Sequence, residues 1–225
     1  MESIGRRRIP AALAWGSVAA VMIVPVAIAA FSPYLASRNI PYIVGGFAGI
    51  VGLSFLFLQP LLPAGYLTGS VGPAGRRWHR WLGVAIIVAV LLHVGGLYLA
   101  SPEDTVDALL LVSPTPFSIY GVTAMWGVVA TAILVLFRRR LGLRHSVWRL
   151  IHNGLVAIVV AATVIHALQI EGAMEPVSKW MLCMAVVAAT GVALLDLRVV
   201  RPFRAWRERG LRLDGKRVLR KPGVG

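Results

Sequence analysis

Six long apolar stretches, at about residues 11–31, 42–63, 81–100, 119–137, 150–170 and 179–197, constrain this chain more than any other feature. Each is close to the roughly 20 residues that a helix needs to cross a hydrocarbon core. No water is available there to the peptide groups, so a spanning segment must satisfy them within itself, as a helix does. The expected fold class is therefore all-α, an integral membrane six-helix bundle. Composition agrees: 58% hydrophobic and 14% charged residues over 225 positions exclude an ordinary soluble domain. The stretch from Ala11 to Phe31 is long enough to span and lacks a clear small-residue cleavage site, so it reads as a retained anchor and not as a cleaved signal. Pro25, Pro60 and Pro63 fall within or at the end of the first two spans, where membrane helices tolerate kinks.

A net charge of +14 could point to nucleic acid, but the basic residues are confined to a few loops and the C-terminal tail. That distribution excludes nucleic acid as the expected partner and fits a membrane face. Arg6, Arg7 and Arg8 precede the first span, and Arg76, Arg77 and Arg80 lie in the second loop. Arg138, Arg139, Arg140, Arg144 and Arg149 lie around the fourth loop, and the tail from Arg198 onward is rich in Lys and Arg. The other loops carry only Arg38 and Lys179 as cations, against Glu103, Asp104, Asp107, Glu171 and Glu175. The positive-inside rule then places both termini in the cytoplasm, with residues 1–197 as the membrane domain and 198–225 as a basic cytoplasmic tail. The expected location is the inner (plasma) membrane of a bacterium, with lipid as the surrounding partner. The single cysteine, Cys183, sits in an apolar run and excludes an internal disulfide or a thiolate metal cluster. It is expected to face lipid or to be packed.

Polar chemistry inside the spans comes down to histidine. His79 and His93 stand fourteen residues apart, and so do His152 and His166. Fourteen helical steps return to within about 40° of the starting face and separate the side chains by about 21 Å. Each helix thus carries two imidazoles on one stripe. In the predicted topology the third and fifth spans run in the same direction, so depths match between them. His79 pairs with His152 at the cytoplasmic edge, and His93 with His166 in the outer half. An ionisable residue at such depth is a functional candidate by default.

A zinc site needs three or four protein ligands. Two histidines per level are too few, the spans contain no Glu, and their only Asp is Asp196. A haem iron fits better, because the porphyrin supplies four nitrogens and leaves two axial positions. Two levels about 21 Å apart would place one haem in each leaflet of a core about 30 Å thick. Arg80 and Arg149, near the inner histidines, are candidates for haem propionates, with positive-inside marking as the competing explanation. Gly83, Gly95 and Gly96 would either admit a flat macrocycle or serve close helix packing. His145 reads as a solvated loop histidine, and Asp196 as one half of an ion pair near Arg198.

The run His79-Arg80-Trp81-Leu82-Gly83 leading to Leu92-His93, with Trp148-Arg149-Leu150-Ile151-His152 leading to His166, resembles the ferric-reductase-like transmembrane domain. That six-span haem b unit is shared by ferric reductases and NADPH oxidases, and the resemblance covers about residues 40–200. It implies that His79, His93, His152 and His166 are the axial ligands of two haems. Family enzymes that use NADPH carry a flavin and nucleotide domain after the last span, whereas here only a short tail follows, and no glycine-rich phosphate loop follows a strand. More distantly, the chain is similar to the haem membrane subunit of the periplasmic methionine sulfoxide reductase system. That subunit typically has Arg in place of His79 and a Tyr soon after the position of His152, where this chain has Asn153, Gly154 and Leu155.

The functional expectation is a b-type cytochrome, the electron-transfer component of a ferric-reductase-like oxidoreductase. It would carry electrons through two bis-histidine haems to an extracytoplasmic acceptor. A cytoplasmic flavin reductase or a quinol would supply them, so a flavin or quinone is expected at the cytoplasmic face. The alternatives are a single-haem membrane subunit of a two-component reductase and a non-redox haem-binding or scaffold membrane protein.

Overall fold

A computed structural model describes residues 10–208. Arg6, Arg7, Arg8 and residues 209–225, most of the expected basic tail, lie outside the described residues. Seven α-helices follow one another: α1 (Ala11–Ala30), α2 (Ile40–Ala64), α3 (Pro73–Ala100), α4 (Pro102–Leu109), α5 (Pro116–Leu136), α6 (His145–Gln169) and α7 (Pro176–Leu195). No strand occurs among the described residues. All but α4 are long and apolar enough to cross a membrane. The chain is thus an all-helical, multi-pass integral membrane protein.

Helix boundaries follow local chemistry. α3, α4, α5 and α7 each open at a proline, whose fixed φ suits the first turn and whose missing N–H costs nothing there. Pro73 starts α3 eight residues ahead of its apolar stretch, so His79 lies within the helix and not at its mouth. The Asn39 side chain caps α2 by accepting the Tyr42 N–H at 2.9 Å, and Gly65 ends it at φ 71°, a left-handed conformation that glycine adopts freely. The amphipathic α4 lies between the third and fourth spans, in a loop where the sequence suggested no helix; Glu103 and Asp104 in its first turn complement the helix dipole.

α2 is the central element, packed along α3, α7 and α1, while α6 packs against α5 and α7. Apolar burial drives little of this in lipid, so small residues that let backbones approach carry it. A methyl at Gly96 would lie 2.7 Å from the Gly45 Cα, and one at Gly127 would lie 2.6 Å from Val159 Cγ2. Gly96 therefore serves helix packing, one of the two roles the sequence left open. Leu53 of α2, Val160 and Val164 of α6, and Leu182, Cys183 and Val186 of α7 form one buried cluster. Cys183 is fully enclosed there and faces no lipid.

α7 passes at Asp196–Val200 into a π-helical turn, and the helix then continues to Glu208. Asp196 pairs with Arg201 at 2.9 Å and accepts the Tyr66 hydroxyl at 2.9 Å, while Arg201 also donates to the Ala64 carbonyl at 2.6 Å. The ion pair expected for Asp196 thus forms with Arg201. Arg198, one turn away from that role, donates to Asn153 Oδ1 at 3.0 Å. Together these bonds tie the end of α2 to α7, and α7 to α6, at the arginine-rich end of the bundle. In the π-turn the Arg201 N–H bonds to the Asp196 carbonyl five residues back, a departure from α-helical spacing that sequence periodicity does not reveal.

Candidate functional site

α3 and α6 run in the same direction, because His79 meets His152 at one level and His93 meets His166 at the other. The ring centres are 6.3 Å apart in both pairs, with planes crossing at 73° and 82°. α3 leans on α2 and α6 on α5, so the four rings reach across the space between two helix pairs. All four histidines of the predicted pairing are therefore brought together as expected.

Three of the four rings are fixed by a backbone carbonyl on the neighbouring helix. His93 Nδ1 lies 2.8 Å from the Gly45 oxygen, His166 Nδ1 lies 2.8 Å from the Phe117 oxygen, and His79 Nδ1 lies 3.0 Å from the Gln59 oxygen. A carbonyl only accepts, so Nδ1 carries the proton and donates in each case. That leaves the Nε2 lone pair free to bind a metal, the usual arrangement of a ligating histidine and its outer partner.

Glycines make room for these contacts. A methyl at Gly49 would stand 2.9 Å from His93 Nδ1, and one at Gly121 would stand 2.7 Å from His166 Cε1. Each glycine lies four residues, one turn, after the residue whose carbonyl accepts: Gly45 then Gly49, Phe117 then Gly121. The His93 and His166 rings are thus seated by the same device on two different helices. At the level of His79 and His152 proline does a related job. Pro63 has no N–H to give the Gln59 carbonyl, which is left free within α2 to accept from His79.

His152 differs from the other three. Its Nδ1 is buried and has no hydrogen-bond partner. Instead its ring stacks on Trp148, centres 5.2 Å apart and planes 7° from parallel. Trp148 in turn stacks on His145 at 6.2 Å, and the Arg138 guanidinium lies 4.4 Å from the centre of the Trp148 ring. His145 is exposed, as expected, but it is the first residue of α6 and not a loop residue, and it belongs to this stack and is bonded to Arg138 at 3.1 Å. The i, i+3, i+7 spacing of His145, Trp148 and His152 carried that signal.

Arg80 and Arg149 are exposed at the same end, and neither forms an ion pair among the described residues. Gly83 faces the Gln59 amide, since a methyl there would be 3.3 Å from Nε2, whereas Gly95 has open space around it and packs against nothing. Burial, reinforced by the bond to Asp196, pushes the Tyr66 phenol above its ordinary pKa, so it stays a donor to that carboxylate.

Among the described residues no cluster of three or more His, Cys, Asp or Glu side chains comes together. Neither level therefore matches a metal site built of side chains alone. Two imidazoles on opposite faces of one metal ion, each nitrogen about 2.0 Å from it, have ring centres about 6.3 Å apart. Both pairs meet that spacing, so the residues present fit a haem with two axial histidines.

Residues 45–163 match the family described as ferric reductase like transmembrane component, and the chain belongs to that family. The matched segment contains His79, His93 and His152 and ends three residues before His166. Such chains are membrane redox domains that generally bind haem. No curated protein and no solved structure matches the chain.

Proposed function

We propose that the chain is a dihaem b-type cytochrome that carries electrons across the membrane. His79 and His152 are the axial ligands of an inner haem, and His93 and His166 those of an outer one. The arginine-rich end faces the cytoplasm, because all the Lys and Arg of the sequence except Arg38 and Lys179 fall on that side. A cytoplasmic flavin reductase or a membrane quinol supplies electrons, and an extracytoplasmic acceptor takes them. Bound haem supplies the one-electron redox chemistry. The protein orients the imidazoles, keeps the protons of His79, His93 and His166 on Nδ1, and surrounds all four rings with apolar helices. Arg80 and Arg149 hold the charge of the inner propionates at the membrane edge.

The observation that carries this reading is the repetition of one geometry: two imidazole pairs at 6.3 Å on the same two helices. Absorbance tests it. The purified protein should show sharp bands that intensify on dithionite reduction, as bis-histidine b haems do. A colourless preparation that takes up no added haem would leave a helical scaffold and overturn the proposal.

A further inference from the structure

Arg198 reaches the inner histidine level without a carboxylate to pair with. The carboxylate nearest to it in the sequence, Asp196, is taken by Arg201 and Tyr66, and no other ion pair forms among the described residues. The Arg198 guanidinium is held from the end of α7 onto α6 by Asn153 Oδ1 at 3.0 Å, and Asn153 directly follows His152. In that position its charge acts on the His152 ring, and the like charge of Arg149 acts on Arg198. Arg149 and Asn153 are one turn apart on α6, so Arg149 shares a face with the residue that holds Arg198. Two arginines brought together repel, and partial desolvation adds to the cost unless an anion lies between them. Only Nη2 of Arg198 is committed to Asn153, so the rest of its planar fork is available to a carboxylate.

We propose that Arg198 and Arg149 together bind a propionate of the inner haem, and that Asn153 is the positioning residue that holds Arg198 for it. Haem carries its negative charge on propionate carboxylates at the edge of an otherwise apolar macrocycle, so a protein that ligates its iron must also meet those charges with cations. Arg198 is tied to the residue beside an axial ligand, which is where such a cation is needed. A lipid phosphate carries similar charge, but nothing links its place to that of His152. The assignment rests on the inner haem of the proposed function and adds to it a residue from the end of α7, a helix that contributes no histidine. Pairing of Asp196 with Arg198 would have closed this role, and the bond from Arg201 to Asp196 leaves it open.

Haem and its dimethyl ester, which keeps the macrocycle and the iron but lacks the propionate charges, separate this contact from the fold. Both are titrated into the full chain carrying His93→Ala and His166→Ala, so that only the inner level is read. In that background Arg198→Gln should weaken haem binding about two- to fivefold and leave binding of the ester unchanged. Asn153→Ala should weaken haem binding less, and should add nothing to the loss in Arg198→Gln. Arg198→Lys should recover part of that loss, since it keeps the charge and not the fork. Equal losses for haem and ester would give Arg198 a structural role in tying α7 to α6, and no loss for either would leave it a solvated cation at the membrane edge. Both results overturn the proposal. Uptake of neither haem nor ester by the background protein would instead overturn the inner haem itself, and this inference with it.

Discussion

Trp148 lies flat against His152, ring centres 5.2 Å apart and planes 7° from parallel, and it takes the place of the carbonyl that fixes each of the other three histidines. A stacked aromatic pair is worth about 0.5–1.5 kcal/mol, similar to one hydrogen bond. Trp148→Leu should therefore weaken haem retention at the inner level about two- to tenfold and shift the low-temperature paramagnetic signal of one haem only. Trp148→Phe should keep that signal. Equal changes at both haems would show that the indole acts on the whole bundle and not on His152.

The glycines opposite the outer rings give a paired test. A methyl at Gly121 or Gly49 would meet a ring already pinned by its carbonyl, and such overpacking costs about 1–3 kcal/mol. Gly121→Ala and Gly49→Ala should each lower occupancy of the outer haem in a titration with added haem. Gly95→Ala, with nothing within 4 Å, should leave the titration unchanged. If all three behave alike, the rings are not held by this close approach.

Much of this arrangement was legible in the sequence, and the reason is periodicity. The spans, and the fourteen-residue spacing that puts His79 with His93 and His152 with His166 on single stripes, are properties of one helix at a time. What one helix cannot disclose is its neighbour's register. The acceptors at Gly45, Phe117 and Gln59 depend on how far α2 and α5 slide along α3 and α6. Yet traces were present: Pro63 four residues after Gln59 marks a freed carbonyl, and glycines at 49 and 121 mark close approaches inside apolar runs. The ion pair between Asp196 and Arg201 was hidden for another reason, since the π-turn changes the helical phase between the two residues.

Orientation in the membrane can be checked directly. A reporter fused after Gly225 and active only in the cytoplasm should be active, and a second fused within the α4 region should be silent. The reverse pattern would turn the molecule over and exchange the inner and outer haems.

One pH effect follows from the start of α7. The Glu175 carboxylate accepts the N–H groups of Ser178 at 2.8 Å and Val177 at 2.9 Å, which hold its carboxyl below the ordinary value of 4.5. A lowered folded pKa means that this cap contributes fully above the ordinary value and is lost as pH falls through the lowered one. In thermal unfolding followed by circular dichroism, Glu175→Ala should melt below the parent at pH 6, and the gap should close towards pH 3. A gap that is constant with pH would assign the loss to packing and not to the carboxylate.

The central claim is that the ligands pair across α3 and α6 into two independent haem levels. The haem-to-protein ratio of purified variants measures this most directly. The parent should carry two haems, and His93→Ala or His166→Ala should each carry one. The His93→Ala, His166→Ala double variant should still carry one, because the two ligands act as a unit. Joining His79→Ala to His93→Ala should leave none. A His79→Ala protein with undiminished haem, beside a His93→Ala protein with none, would contradict the account and reduce the chain to a single haem.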